Sequence, residues 1–282
     1  MTARTNAAST HHNRAAERVW VGSLLLLSAA FAIFFVLPFA GMLERGLRHQ
    51  GTWDIVTSHT ALTALRLSLW TSTVTVVIAI VFGTPVAYLL ARTSFRGRAV
   101  VDALIDLPIV LPPTVAGVAL LTAFGRRGLI GEPIDDWTGF TFGFRTTAVI
   151  MAQILVAAPF YVRAAKSGFE AVDSQYERVA FTLGASRART FFRITLPQAW
   201  PAVLAGIILC WARAMGELGA TLIFAGSLQG KTETMPLAIL SAFEGTSLGL
   251  DGAIALSLIL LAVALVVLVV FRLVVGRSAL QV

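Results

Sequence analysis

Long apolar blocks separated by short polar segments set the pattern of this chain. Six blocks lie at roughly 20–42, 61–91, 99–124, 146–165, 198–225 and 252–275, and each can supply the ~20 helical residues that a hydrocarbon core requires. The expected fold class is therefore all-α, a polytopic membrane protein with six transmembrane helices. A polar leader over residues 1–18 precedes the first block and has the basic character of a signal peptide, and Ser28-Ala29-Ala30 has the composition of a cleavage site. The apolar run nevertheless continues through Phe31 to Ala40, too far for a signal sequence, which predicts an uncleaved first helix. The organisation is then an irregular leader, 1–18, and a membrane domain, 19–282. The longest connection, roughly 30 residues between blocks four and five, leaves no room for a soluble domain.

Composition agrees with this class. Hydrophobic residues make up 57% of the 282 and charged residues 13%, against about a quarter charged in an ordinary soluble domain. The isoelectric point near 10.7 raises nucleic acid as a partner, but the placement of the 22 basic residues gives another reason for it. Fourteen fall on one side: Arg4, Arg14 and Arg18, then Arg92, Arg96 and Arg98, then six between Arg163 and Arg193, then Arg272 and Arg277. The other side receives six, Arg45, Arg48, Arg126, Arg127, Arg145 and Lys231, while Arg66 and Arg213 lie within blocks. An excess of Lys and Arg marks the cytoplasmic face. Both termini and the leader are accordingly expected in the cytoplasm, and nucleic acid is not required. Cys210 stands alone in an apolar stretch, as a small buried hydrophobe. His11-His12 has no further ligand nearby, so no metal is expected there.

The connection between blocks four and five carries the most information. Ser174-x-x-Glu177 reads as a capping box that starts a helix; Ala180 and Leu183 continue it, and Gly184 ends it in a left-handed conformation. Ser186 caps a second short helix through Phe191-Phe192, and Pro197 suits the first turn of the fifth span. Tyr176, Val179, Ala180, Leu183 and Phe191 form an apolar side opposite a basic one. An interfacial pair lying on anionic lipid and a docking element for a protein partner are both compatible with that pattern.

Glu177-x-x-Ala180-x-x-x-Gly184, followed ten residues later by Ile194-x-Leu196-Pro197, resembles the coupling-loop signature of ABC importer permeases, here within 170–197. Val179 departs from it, standing where many such proteins have alanine. The stretches 107–117, 123–131, 211–221 and 225–237 are similar to molybdate and tungstate importer permeases, with sulfate and thiosulfate permeases as the nearest rival. This resemblance, which covers most of residues 60–275, implies a type I ABC importer permease fold working as a homodimer in the bacterial plasma membrane. It implies two ABC ATPase subunits inside, which hold the ATP and Mg, and one extracytoplasmic solute-binding protein outside. It assigns coupling to the ATPase to Glu177, Ala180, Gly184, Ile194, Leu196 and Pro197, and it implies that the chain itself is no enzyme.

Ionisable and helix-breaking residues inside the blocks are candidates for the pathway. Arg213 and Glu217 are four apart, placing them on one helical face where they can pair, either to lock the fifth helix or to offer positive charge to an oxyanion. Pro108, Pro112 and Pro113 disturb the third block, and the hydroxyl of Thr114 lies beside the break. Such a break serves packing, or it opens a half-helix N-terminus suited to anions. No Gly-x-x-x-x-Gly-Lys-Ser/Thr occurs, and no cluster of membrane carboxylates offers the ion site that a stand-alone secondary carrier needs.

Overall fold

The computed structural model describes residues 5–245 and 249–279, with side chains over 20–245, 249–270 and at 273. The side chains of Arg4, His11, His12, Arg14, Arg18, Arg272 and Arg277 lie outside the described residues. The chain divides into two compact units, 1–52 and 53–282. The first holds α1 (Thr5–Arg48), 44 residues with Pro38 inside, which takes the polar leader into the helix from Thr5 onward. The expectation of an irregular leader is thereby corrected.

The short α2 (Thr52–Val56) starts at the last residue of the first unit, and the second unit continues with the 34-residue α3 (His59–Arg92), whose Ser58 N-cap accepts a hydrogen bond from the Ala61 amide. Next come α4 (Arg98–Val110), α5 (Pro113–Phe124), α6 (Gly131–Thr138) and α7 (Thr146–Ala171). The following connection holds α8 (Ser174–Thr182) and α9 (Arg187–Thr190), which runs through a π turn (Phe191–Thr195) into α10 (Leu196–Met215). The chain then forms α11 (Gly219–Ala225), α12 (Met235–Gly245) and α13 (Gly249–Ala279).

Among the described residues, five helices are long and apolar enough to cross a membrane, and six spans result when α4 and α5 count as one. The break expected from the prolines of the third block is present as an elbow, bent by 117° between α4 and α5. Pro112 and Pro113 both lack an N–H, and a residue before proline is pushed to extended geometry. Leu111 and Pro112 accordingly take ψ of 139° and 135°. The expected fifth span is also interrupted, at 216–218, while its start reaches back to Arg187. Residues 235–245, read from the sequence only as connection, form the apolar α12.

The core of this unit is α3, α7 and α10, packed through small residues. Ala61, Ala64, Ser68, Thr71, Ser72, Thr75, Ala79 and Gly83 recur at three- and four-residue spacing and face inward along α3. Without a hydrophobic drive between lipid-bathed helices, close backbone approach is what van der Waals packing requires. A Cβ on Gly83 would stand 2.9 Å from a Val162 methyl, one on Gly168 2.6 Å from Ala202, and one on Gly206 2.8 Å from Ala164. Gln153 on α7 joins the three helices. It accepts from Thr75 at 3.0 Å, and its amide donates to Thr71 and to the Ala214 carbonyl, each at 3.1 Å.

Candidate functional site

The 173–197 segment folds as two short helices around a glycine turn. Its N-cap is Asp173, whose carboxylate accepts from the Gln175 amide at 2.8 Å, and not Ser174, so the expected capping box is not formed. Asp173 captures the helix start one residue earlier, which makes Glu177 the fourth helical residue instead of the third, displaced from the capping-box position. Gly184 has φ of +82°. The Ala185 amide donates to the Ala180 carbonyl and the Gly184 amide to Phe181, the paired bonds of a Schellman ending. Ser186 then caps α9 by accepting from the Arg189 amide at 3.3 Å. The second helix does not stop at Phe192 as expected. The Leu196 amide bonds back to Phe191, a π turn, and this wider turn admits Pro197, which cannot donate to the carbonyl four residues before it.

Here the apolar side expected from the sequence divides in two. Ala180 is buried, and Phe191 packs edge-on to Tyr88 at 5.1 Å and tilted on Phe169 at 5.7 Å. Tyr176, Val179 and Leu183 point outward, with Leu183 83% exposed, and they share a shallow groove with Ile194 and Pro197. Leu196 is partly buried against the main core.

Glu177 turns inward. One of its oxygens, Oε1, accepts from Arg92 Nε at 3.1 Å and from the Thr195 hydroxyl at 2.6 Å, while Arg92 Nη2 donates to the Val172 carbonyl at 2.9 Å. A second ionic cluster ties α4 to α7. Arg163 bridges Asp102 (2.9 Å) and Asp106, Lys166 reaches Asp102 at 3.0 Å, and Arg98 reaches Glu170 at 3.4 Å. Sequence reasoning had counted these basic residues for topology and missed their acidic partners, which lie 57 to 85 positions away in the chain.

The two broken helices meet at their breaks. Gly219 at the start of α11 packs on Pro113 at the start of α5, and Gly117, one turn along α5, packs on Ala220 and Ile223. Pro112, Pro113, Arg213 and Glu217 are thereby brought into one region, with Thr114 exposed on α5 beside Pro113. Arg213 and Glu217 do pair, with Nη1 2.7 Å from Oε2. They do not share one helix face, however, since α10 ends at Met215 and Glu217 lies in the break. Its Oε1 accepts from the Ala220 amide at 2.8 Å and so closes the N-terminus of α11. Oε2 has the charge of Arg213 beside it but accepts no aligned hydrogen bond. The positive end of that half-helix is therefore occupied by the protein's own carboxylate. Among the described residues, no group of three His, Cys, Asp or Glu is placed to hold a metal ion.

Residues 79–279 match the family described as binding-protein-dependent transport system inner membrane component. The molybdenum transport system permease protein of Escherichia coli strain K12 is 42% identical over 207 residues, 73% of this chain and 90% of that protein. The molybdate/tungstate transport system permease protein of Pyrococcus abyssi is 37% identical over 258 residues, 92% of this chain and 94% of that one. Among solved structures, a bacterial alginate ABC transporter in complex with a periplasmic protein superimposes with a TM-score of 0.74 at 17% identity, covering 94% of this chain and 97% of that one.

Proposed function

The chain belongs to the family of binding-protein-dependent transport system inner membrane components, and from that premise we propose that it carries molybdate or tungstate into the cell as the permease subunit of an ABC importer. The type I importer permease fold is shared with the alginate transporter. Support for the cargo comes from relatives whose names specify molybdenum or molybdate/tungstate and whose similarity runs across most of the chain.

The observation that carries the mechanism is the outward apolar face of α8. Tyr176, Val179 and Leu183 stand more than half exposed on a helix whose opposite side is pinned by a buried ion pair. A rigid apolar knob of this kind fits a groove in a cytoplasmic ATPase subunit better than it fits water. In this reading two ATPase subunits bind the ATP and Mg, and their closure moves α8 in each of two permease copies. The spans then switch between inward- and outward-open states, and an extracytoplasmic binding protein delivers the oxyanion. The second permease copy covers exposed apolar residues of the elbow, such as Leu104, Leu107 and Val110. Both termini and the 173–197 segment face the cytoplasm, in keeping with the uneven distribution of basic residues.

The deciding experiment is molybdate uptake in cells that express this chain with its ATPase and binding protein. Uptake that requires all three components, competed by tungstate but not by sulfate, is expected. Competition by sulfate alone reassigns the cargo, and uptake without the ATPase overturns the importer reading in favour of a secondary carrier.

A further inference from the structure

Resting on the permease reading, we propose that Arg92 is the positioning residue of the coupling loop, fixing α8 through Glu177 to the end of α3 so that displacement of the loop passes into that span. Arg92 is the last residue of α3. Its guanidinium forks: Nε donates to Glu177 on α8, and Nη2 donates to the Val172 carbonyl that follows α7. The same Glu177 oxygen accepts from Thr195, the last residue of the π turn before α10. A single carboxylate oxygen thus joins the loop helix to the ends of two spans, and the arginine adds a third.

Burial makes this joint stiff. The Arg92 and Glu177 side chains are only 13% and 9% exposed. Charge-assisted hydrogen bonds strengthen where water is excluded, and an unpaired buried charge is costly, so the joint stays closed when the loop is pushed. Glu177 also lies on the side of α8 opposite Tyr176, Val179 and Leu183. Its carboxylate is therefore spent inside the chain, and the outward face is left to meet the ATPase. Thr195 has a further part, because its bond holds the start of α10 in the register set by the extra residue of the π turn.

The test uses the whole complex, permease with ATPase subunits and binding protein, reconstituted in liposomes. Three quantities are read: ATPase retained on the permease, molybdate imported per ATP hydrolysed, and stimulation of hydrolysis by the loaded binding protein. Arg92→Lys keeps the charge, but one ammonium cannot serve two diverging acceptors as the fork does. Thr195→Val keeps the shape and removes the hydroxyl. Both variants, and Arg92→Met more strongly, are expected to retain the ATPase while import per ATP falls roughly two- to thirtyfold and stimulation weakens. Wild-type ratios and stimulation in Arg92→Lys and Thr195→Val overturn the proposal. Loss of ATPase retention in those two variants also overturns it, since the joint would then serve docking and not transmission. A wild-type complex that imports no molybdate refutes the cargo instead, and binding-protein stimulation still decides the role of Arg92.

Discussion

Gly219 lies so close to Pro113 that a Cβ on the glycine would stand 2.9 Å from the proline Cβ and 3.3 Å from the Thr114 nitrogen. The break in the third block and the break in the fifth are thus one structural feature, a contact between two half-helix starts. Gly216, three residues earlier, has a proposed Cβ no nearer than 3.6 Å to anything, an ordinary contact.

The two glycines should therefore respond differently to the same methyl group. Gly219→Ala overpacks the contact and is expected to destabilise by about 1–3 kcal/mol. Gly216→Ala should change stability by no more than about 0.5 kcal/mol. Thermal unfolding of the detergent-solubilised protein reads the difference, and equal midpoints would remove the contact between the breaks as a structural determinant.

Gly184 presents the opposite situation, a left-handed backbone in open space. Its φ of +82° is costly for a residue with a Cβ, by about 1–2 kcal/mol, and most so for a β-branched one, yet that Cβ would meet no atom within 4 Å. Gly184→Val should leave the spans folded while disturbing the turn between α8 and α9. Reduced ATPase association and uptake are expected, with Gly184→Asn milder because asparagine tolerates the left-handed region. A pull-down of the ATPase beside an uptake assay checks this, and normal association in Gly184→Val counts against α8 as the docking element.

How far the sequence disclosed these features depended on whether their cause was local. Apolar length alone identifies the spans, and two adjacent prolines predict a break at Pro112. The break after Met215 has no such signal. Gly216 and Glu217 are compatible with a continuing helix, and what stops it is tertiary: Gly219 seated on Pro113 and Glu217 turned to cap Ala220. The start of α8 lies one residue before the one expected at Ser174, because Asp173 caps as well as serine does. That one residue decides whether Glu177 reaches back to the cap or inward to Arg92, 85 positions away. At 11 residues α12 was too short to register as a span, although it packs against α3 and α13 through Ala61, Ala64 and Leu256.

Orientation rests on charge and is open to direct labelling. The native Cys210 is buried, so single cysteines can be introduced against a quiet background. A membrane-impermeant thiol reagent applied outside should reach Gly230→Cys and miss Ser186→Cys. Labelling of both positions from one side would mean that α10, the span between them, does not cross the membrane. The reverse pattern would invert the topology.

The Arg213–Glu217 pair offers the sharpest separation of structural from pathway roles, because its two members are not equally dependent on each other. Glu217 is 1% exposed at its side chain and Arg213 28%. Arg213→Met strands a buried carboxylate whose Oε2 has no hydrogen-bond donor, at a cost of about 3–5 kcal/mol where the site is dry. Glu217→Gln is gentler: its amide oxygen can still accept from Ala220, and the partly exposed guanidinium retains some solvation. The expected stability order is therefore wild type, then Glu217→Gln, then Arg213→Met. The double variant Arg213→Met/Glu217→Gln should recover most of the loss because no buried charge remains. Melting midpoints in detergent give the order, and a double variant no more stable than Arg213→Met refutes the pairing as the source of the effect. Uptake then supplies the second axis. A double variant that folds and transports makes the pair a lock between α10 and α11, whereas one that folds and fails to transport molybdate assigns the Arg213 charge to the passage of the anion.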